Sequence, residues 1–252
     1  PVEVSAFSGS AVWVGAGAYS SYIWNDAGML YAAGRNHLGQ LGLGFDSASS
    51  GWTQLSLPSG NVEKVATGVE HVMLIIDGAI YGFGSDGFGQ LAGNPSNVPV
   101  SIDNSQIWSN IGVGSFHSLA LDSNGNVHAF GKNNSGQLGL GYSSASESNL
   151  TEIPGLDQVE SLAAGLNHSV FLRVVGPTKT ILTTGIDTQG QLGLGYDTNV
   201  PVEVPAYSNV DEVSAGPFST IFKDSGFFIY MMGRGFDESY YSAPVMIEDL
   251  TP

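Results

Sequence analysis

The chain has no cysteine, so neither a disulfide nor a thiolate metal site can brace it. Basic residues are scarce: seven Lys plus Arg stand against 23 Asp plus Glu, for a formal net charge of −16. Charged residues make up 12% of the chain, about half the share usual in a soluble domain. The imbalance is a deficit of bases, and the surface must be carried by Ser, Asn, Thr and Gly. No basic stripe exists to displace counterions from phosphates, which argues against nucleic acid and anionic membrane as partners. A basic or neutral protein, or a glycan, is easier to accommodate. No apolar run reaches the ~18–20 residues that cross a bilayer. No stretch keeps a helical 3.6-residue period over two or three turns. The chain opens at Pro1 without Met or a signal-like segment, which reads as a processed or trimmed product.

What is abundant is glycine in a fixed pattern. "GRNHLGQLGLG" from Gly34 returns as "GSDGFGQLAGN" from Gly84, "GKNNSGQLGLG" from Gly131 and "GIDTQGQLGLG" from Gly185, with a decayed copy, "GRGFDESYY", from Gly233. The spacing is not that of a dinucleotide fingerprint, and no Lys-Ser or Lys-Thr follows as in a P-loop. A phosphate loop is needed once per site, whereas this stretch recurs about every 50 residues, the signature of a solenoid, propeller or array. Upstream of each copy lies a second shared segment with marker glycines Gly17, Gly68, Gly114, Gly165 and Gly216. Short β-branched and aromatic runs follow, separated by turns such as "DG" and "DSNGN", which is how hairpins read. Each unit is therefore a small antiparallel sheet of about four strands, like a propeller blade.

The paired segments "V-x-x-V-A-x-G-x-x-H-S" and "G-x-N-x-x-G-Q-L-G-L-G" resemble the repeat of the regulator of chromosome condensation family. The resemblance covers almost the whole chain and implies an all-β propeller, usually of seven blades. Five units are present: approximately 1–52, 53–98, 99–150, 151–200 and 201–243, plus a terminal strand at 244–252. The chain is thus a propeller of about five four-stranded blades, or an excerpt of a larger ring. "PVEV" at Pro1–Val4 matches "PVEV" at Pro201–Val204, and "APVMIEDL" begins the same phase again, so one terminal strand is expected to pair with a neighbouring domain or subunit. The aromatic usual before the leading glycine is here Ala33, Phe83, Phe130, Thr184 or Met232.

Repeated polar residues have structural work. Asn36, Asp86, Asn133 and Asp187 can close their own turns. Gln40, Gln90, Gln137 and Gln191 stand beside core leucines, where a buried amide must bond to backbone. His71, His117 and His168 share one repeat position, with Ser20 and Ser219 in the outer copies, and are expected to be structural and bonded to backbone. His128 replaces a tyrosine of other copies and reads as a half-buried strand residue. "DSNGNV" from Asp122 lacks the glutamate of a calcium loop and reads as a hairpin. No catalytic residue, metal ligand or cofactor site stands out.

The variable positions are the candidates for binding. Arg35 and Lys132 share a site just after the leading glycine, and His37, Leu38 and Phe88 follow in the same turns; an exposed apolar residue beside a cation suits a hot spot. Mere tolerance of turns to substitution is the competing explanation. A second ring is suggested by Phe45, Tyr142 and Tyr196, each directly after a glycine and before a polar loop; packing under that loop is the alternative there. Of three sequons, at Asn133, Asn149 and Asn167, Asn149 lies in a polar loop and is the glycosylation candidate. The expected function is a non-enzymatic protein-interaction or assembly module, outside the cell or at its surface, binding another protein or a neighbouring subunit. The alternatives are an exchange factor for a small GTPase, as implied by the family's namesake, and a carbohydrate-binding or glycoside-cleaving propeller.

Overall fold

The computed structural model describes residues 7–235 and 238–249. Among them there is no helix, and twenty strands form five separate four-stranded antiparallel sheets. The first sheet, blade 1, comprises β1 (Ala11–Ala16), β2 (Ser20–Asn25), β3 (Leu30–Asn36) and β4 (Ser47–Gln54), each paired with the next along the chain. Blades 2 to 5 repeat this order within residues 62–103, 108–152, 159–208 and 210–249. First strands of successive blades approach one another, so they form the inner wall and the fourth strands the outer edge.

Local sequence accounts for the hairpins. Between His71–Ile76 and Ala79–Gly84 the turn is Asp77-Gly78, with φ of 47° and 75°. Two left-handed residues make the type I′ turn whose twist matches the strands it joins. The second strands of blades 2 to 4 carry apolar runs because both faces are covered. His71–Ile76 is buried at every residue, whereas β4 is polar and only partly covered.

Four apolar clusters hold the five blades together, one at each junction. Tyr22 and Leu30 of blade 1 meet Leu74 and Phe83 of blade 2. Met73 and Ile75 meet Trp108 and Phe130. Leu119 and Leu121 meet Phe171 and Leu162. Val170 and Leu172 meet Phe222 and Met232. The Gln-Leu-Gly turn is part of each junction. Gly136 has φ 73°, and a Cβ there would lie 2.7 Å from Cα of Asn199 in the next blade; Gly39, Gly89 and Gly190 stand in the same relation to Asn97, Ser148 and Ser242. Only glycine meets both the left-handed backbone and the close approach.

Of the two terminal copies of one strand phase, the second completes a blade. Tyr240–Asp249 pairs with Phe228–Arg234 and is the fourth strand of blade 5. Residues 244–247 therefore complete a sheet of their own chain. The matching segment Pro1–Val4 lies outside the described residues.

Candidate interaction face

Two kinds of loop lie at the same end of every blade. The third strand ends beside the start of the second, as the pairs Ser20↔Gly34, His71↔Gly84, His117↔Gly131, His168↔Gly185 and Ser219↔Gly233 show. The turn joining the first two strands and the turn after the third strand are thus neighbours, and five copies of each build one face. At its centre a mouth is lined by the loops at Gly17, Gly68, Gly114, Gly165 and Gly216, with Val69, Leu166 and Pro217 among the side chains and no charged residue. The next positions outward are Tyr19, Glu70, Phe116, Asn167 and Phe218. Their carbonyls accept the N–H groups of Arg35, Ser85, Lys132, Ile186 and Arg234 at 2.8, 2.8, 2.8, 3.1 and 2.9 Å. One repeated backbone bond therefore fixes where five unlike side chains are presented.

The turns behind these positions are closed as their sequence suggests. Asn36 Oδ1 accepts Leu41 N–H at 2.9 Å and its amide donates to the Phe45 carbonyl at 2.7 Å; Asn133 does the same with Leu138 and Tyr142. Asp86 and Asp187 accept from Leu91 and Leu192. Burial raises both carboxyls above their usual range despite those bonds. The four glutamines are buried, and each Oε1 accepts a backbone N–H two residues earlier, from Leu38, Phe88, Ser135 and Gln189.

Of the candidates, Arg35, Lys132 and Phe88 enter specific contacts with residues that the motif reading passed over. The Arg35 guanidinium lies 5.2 Å from the centroid of Tyr19. The Lys132 ammonium stands 5.5 Å from Phe88 and 5.6 Å from Phe116, whose rings are 5.3 Å apart across the junction of blades 2 and 3. His37 Nε2 is 3.9 Å from Glu70 Oε1 of the next blade. Leu38 and Phe88 are each 37% exposed and Tyr19 60%. Tyr19, Glu70 and Phe116 occupy a single variable position directly before the repeat histidine or serine, which is the signal that could have found them. Phe45, Tyr142 and Tyr196 follow the glycine turns of blades 1, 3 and 4 and are each about half exposed. A recess of the face, about 700 Å³, lies between the turns of blades 1 and 2 and is lined by His37, Leu38, Asp46, Asp86, Pro95 and Asn97. Asn149 is exposed on the outer strand of blade 3, whereas Asn133 is buried.

The histidines are not part of the face. His71, His117 and His168 are buried, and each Nε2 meets a hydroxyl of the following blade: Ser118 at 3.0 Å, Ser169 at 3.0 Å and Thr220 at 3.2 Å. Those hydroxyls donate to the carbonyls of Gln90, Gln137 and Gln191 at 2.8, 2.7 and 2.8 Å, so each must accept from an Nε2–H. The expected backbone partner is thus a side chain of the neighbouring blade. Burial pulls His71 and His117 down to about 3 and His168 to about 4. His128 is half-buried with its ring against Trp108, and Asp122–Asn126 is a hairpin turn. Among the described residues no three His, Asp or Glu side chains are placed to hold a metal ion.

Comparison with known proteins places these features. Profiles of the regulator of chromosome condensation (RCC1) repeat match residues 27–75, 124–172 and 108–137. Human HERC4, named a probable E3 ubiquitin-protein ligase, is 32% identical over 246 residues, covering 92% of this chain and 23% of that protein. The ultraviolet-B receptor UVR8 of Arabidopsis thaliana is 28% identical, covering 82% of this chain and 49% of the receptor. The chain thus spans less than half the length of these relatives. Among solved structures, Saccharomyces cerevisiae Prp20p, described with its binding to Gsp1p and histones, superposes with a TM-score of 0.82 at 18% identity, over 95% of this chain and 64% of its own. Human WBSCR16 superposes equally, with a TM-score of 0.82 at 20% identity, over 96% of this chain and 68% of its own.

Proposed function

Because this chain is a β-propeller built of regulator of chromosome condensation repeats, we propose that it is a non-enzymatic protein-interaction module whose working surface is the loop face. The observation that carries this reading is the separation of frame from display. Backbone bonds and buried amides hold five equivalent positions in place, while the side chains set there are Arg35, Ser85, Lys132, Ile186 and Arg234. A surface that is constant in geometry and varied in chemistry suits recognition of another polypeptide. Exposed Tyr19, Leu38 and Phe88 supply the apolar contact area that hot spots need, and Arg35 is of the type enriched there. Relatives agree at the level of class: Prp20p is described with protein partners, HERC4 is named a probable ligase and UVR8 a receptor. Localisation outside the cell belongs to the same proposal and rests on the polar, lysine-poor surface alone.

The test compares proteins captured from the native source by the parent, by Phe88→Ala/Lys132→Ala, and by Ile107→Ser on the opposite end of the blades, where Ile107 is exposed. The proposal expects the loop-face pair to lose partners that Ile107→Ser retains. Loss of the same partners on Ile107→Ser alone, or on neither, would overturn it.

A further inference from the structure

The loop face also carries information about what it binds, an inference that rests on the reading above. Of the seven basic residues, four are matched to carboxylates: Arg173 to Glu203, Lys179 to Glu160, Lys223 to Glu212 and Arg234 to Glu238. Arg35 and Lys132 stand on the loop face and are matched to rings instead. In a chain with 23 acids, these two cations at one repeat position face aromatic rings and make no ion pair among the described residues. A ring beneath a cation restrains the side chain without neutralising it, so the charge stays available for an incoming anion. Between the sectors that hold them lies the mouth at Val69, Leu166 and Pro217, which is apolar and without charge. Its backbone groups largely bond to one another: Val69 N–H to Ser115, Ser115 N–H to Gly165 and Leu166 N–H to Pro217. What the mouth offers is shape and apolar contact for a single side chain.

We propose that the loop face takes an acidic peptide segment of a partner protein, with one apolar side chain in the central mouth and carboxylates on Arg35 and Lys132. Arg35 can hold a carboxylate through two parallel N–H bonds, and Lys132 serves as a point charge. This reverses the preference that net charge alone suggests. The field of the −16 chain favours a basic partner in bulk, but at physiological salt it is screened beyond about 8 Å, while contact pairs are not. A short extended segment reaches the two cations without bringing a large acidic surface alongside. The partner class is therefore a peptide segment and not a folded acidic domain.

A phage-displayed random peptide library selected on the intact protein tests this. Enriched sequences should carry Asp or Glu beside a Leu, Ile, Met or Phe. Binding of a synthetic consensus peptide should weaken about tenfold or more on Arg35→Glu/Lys132→Glu, and also on Leu166→Asp, with Phe227→Ser on the opposite end unchanged. The charge pair decides the matter if Leu166→Asp does not fold, because Arg35 is exposed and Lys132 lies outside the core. Enrichment of basic or neutral peptides that Phe88→Ala abolishes overturns the acidic class and leaves the loop-face reading standing. Acidic peptides indifferent to every loop-face change overturn both. Displacement of the consensus peptide by a single-stranded oligonucleotide at physiological salt would make the anion a nucleic acid and overturn the proposal.

Discussion

Acidification from pH 7 to pH 5 should cost this protein a calculable part of its stability through three side chains. In the unfolded chain each imidazole titrates near 6.5. In the folded chain burial holds His71 and His117 at about 3 and His168 at about 4. Above the unfolded value both states carry neutral rings, and the stability is complete. Below it the unfolded chain takes up protons that the folded chain refuses, so stability falls until the pH approaches the folded values. The structure gives the reason for refusal. Each Nε2–H is committed to a hydroxyl of the next blade, and each Nδ1 is buried without a partner. Linkage then gives about 2 kcal/mol per histidine between pH 7 and pH 5, hence about 6 kcal/mol for three. That is comparable with the whole stability of an ordinary domain.

Carboxyl groups also contribute to the pH dependence of stability, so the raw pH profile is not the assay. Asp86 and Asp187, raised by burial, gain stability as pH falls and work in the opposite direction. A difference between two proteins removes them. His117→Asn keeps a donor at the site and cannot be protonated. Urea unfolding of parent and variant at pH 7 and pH 5 should show the variant weaker at pH 7, yet losing about 2 kcal/mol less than the parent on acidification. Equal losses within about 0.5 kcal/mol would refute the argument, because the ring would then be taking its proton without unfolding.

Further outcomes follow from the same contacts. Gln90→Leu leaves the Phe88 N–H, now bonded at 2.8 Å, without an acceptor and should cost about 1–3 kcal/mol in urea unfolding; a variant as stable as the parent contradicts this. Gly136→Ala should cost about 2 kcal/mol or more, because its Cβ would collide with Asn199, while Gly155→Ala, equally left-handed but with nothing within 4 Å, should cost only about 1 kcal/mol. Equal costs would remove the inter-blade role of the turn. Duplex DNA should not bind measurably at physiological salt in a fluorescence anisotropy titration. In a eukaryotic secretory host, peptide mapping by mass spectrometry should find a glycan at Asn149 and none at Asn133, whose amide donates to the Tyr142 carbonyl; the reverse would contradict the placement of both.

What the sequence made legible divides by reach along the chain. Asn36 and Gln40 bond to groups two to nine residues away, so their spacing inside one motif was enough to assign their work. The hairpin at Asp77-Gly78 and the four-strand unit were legible for the same reason. The histidines were placed rightly as structural but given the wrong partner, because His71 and Ser118 are 47 residues apart and the contact exists only after two blades have docked. Tyr19 and Phe116 escaped notice because a ring supporting a cation leaves no pattern of its own; it shows only when Arg35 and Lys132 are seen above it. The sequence left open which of Pro1–Val4 and 244–247 was spare, because a repeat count cannot tell the outer strand of one blade from the start of another.

The repeat itself is better understood as a record of contacts between blades than of structure within one. Its glycine turn grips the next blade's outer strand, its histidine reaches the next blade's hydroxyl, and its glutamine carbonyl receives that hydroxyl in return. Blade 1 meets blade 2 at Val72, which has no hydroxyl; there the histidine is replaced by Ser20, and Tyr22 reaches the Gln40 carbonyl at 2.6 Å. Blade 5 lacks all three devices on its far side. Ser219 stands for histidine, no Gln-Leu-Gly follows Gly233, and Lys223, paired with Glu212, stands where Ile75, Leu121 and Leu172 are buried in other blades. A lysine at 223 sets this side of blade 5 apart from the equivalent apolar positions of blades 2 to 4. The near side of blade 1 is different: Val14 is largely exposed, and Ile23 beside it is only partly covered. The two outermost faces therefore differ at this position, a lysine paired with Glu212 on one and Val14 beside Ile23 on the other, although Ile221 and Ile229 are only partly covered on the blade 5 side as well. Where the motif decays it does so in step with the contact it serves, which is the behaviour expected of residues whose energy comes from the neighbouring blade.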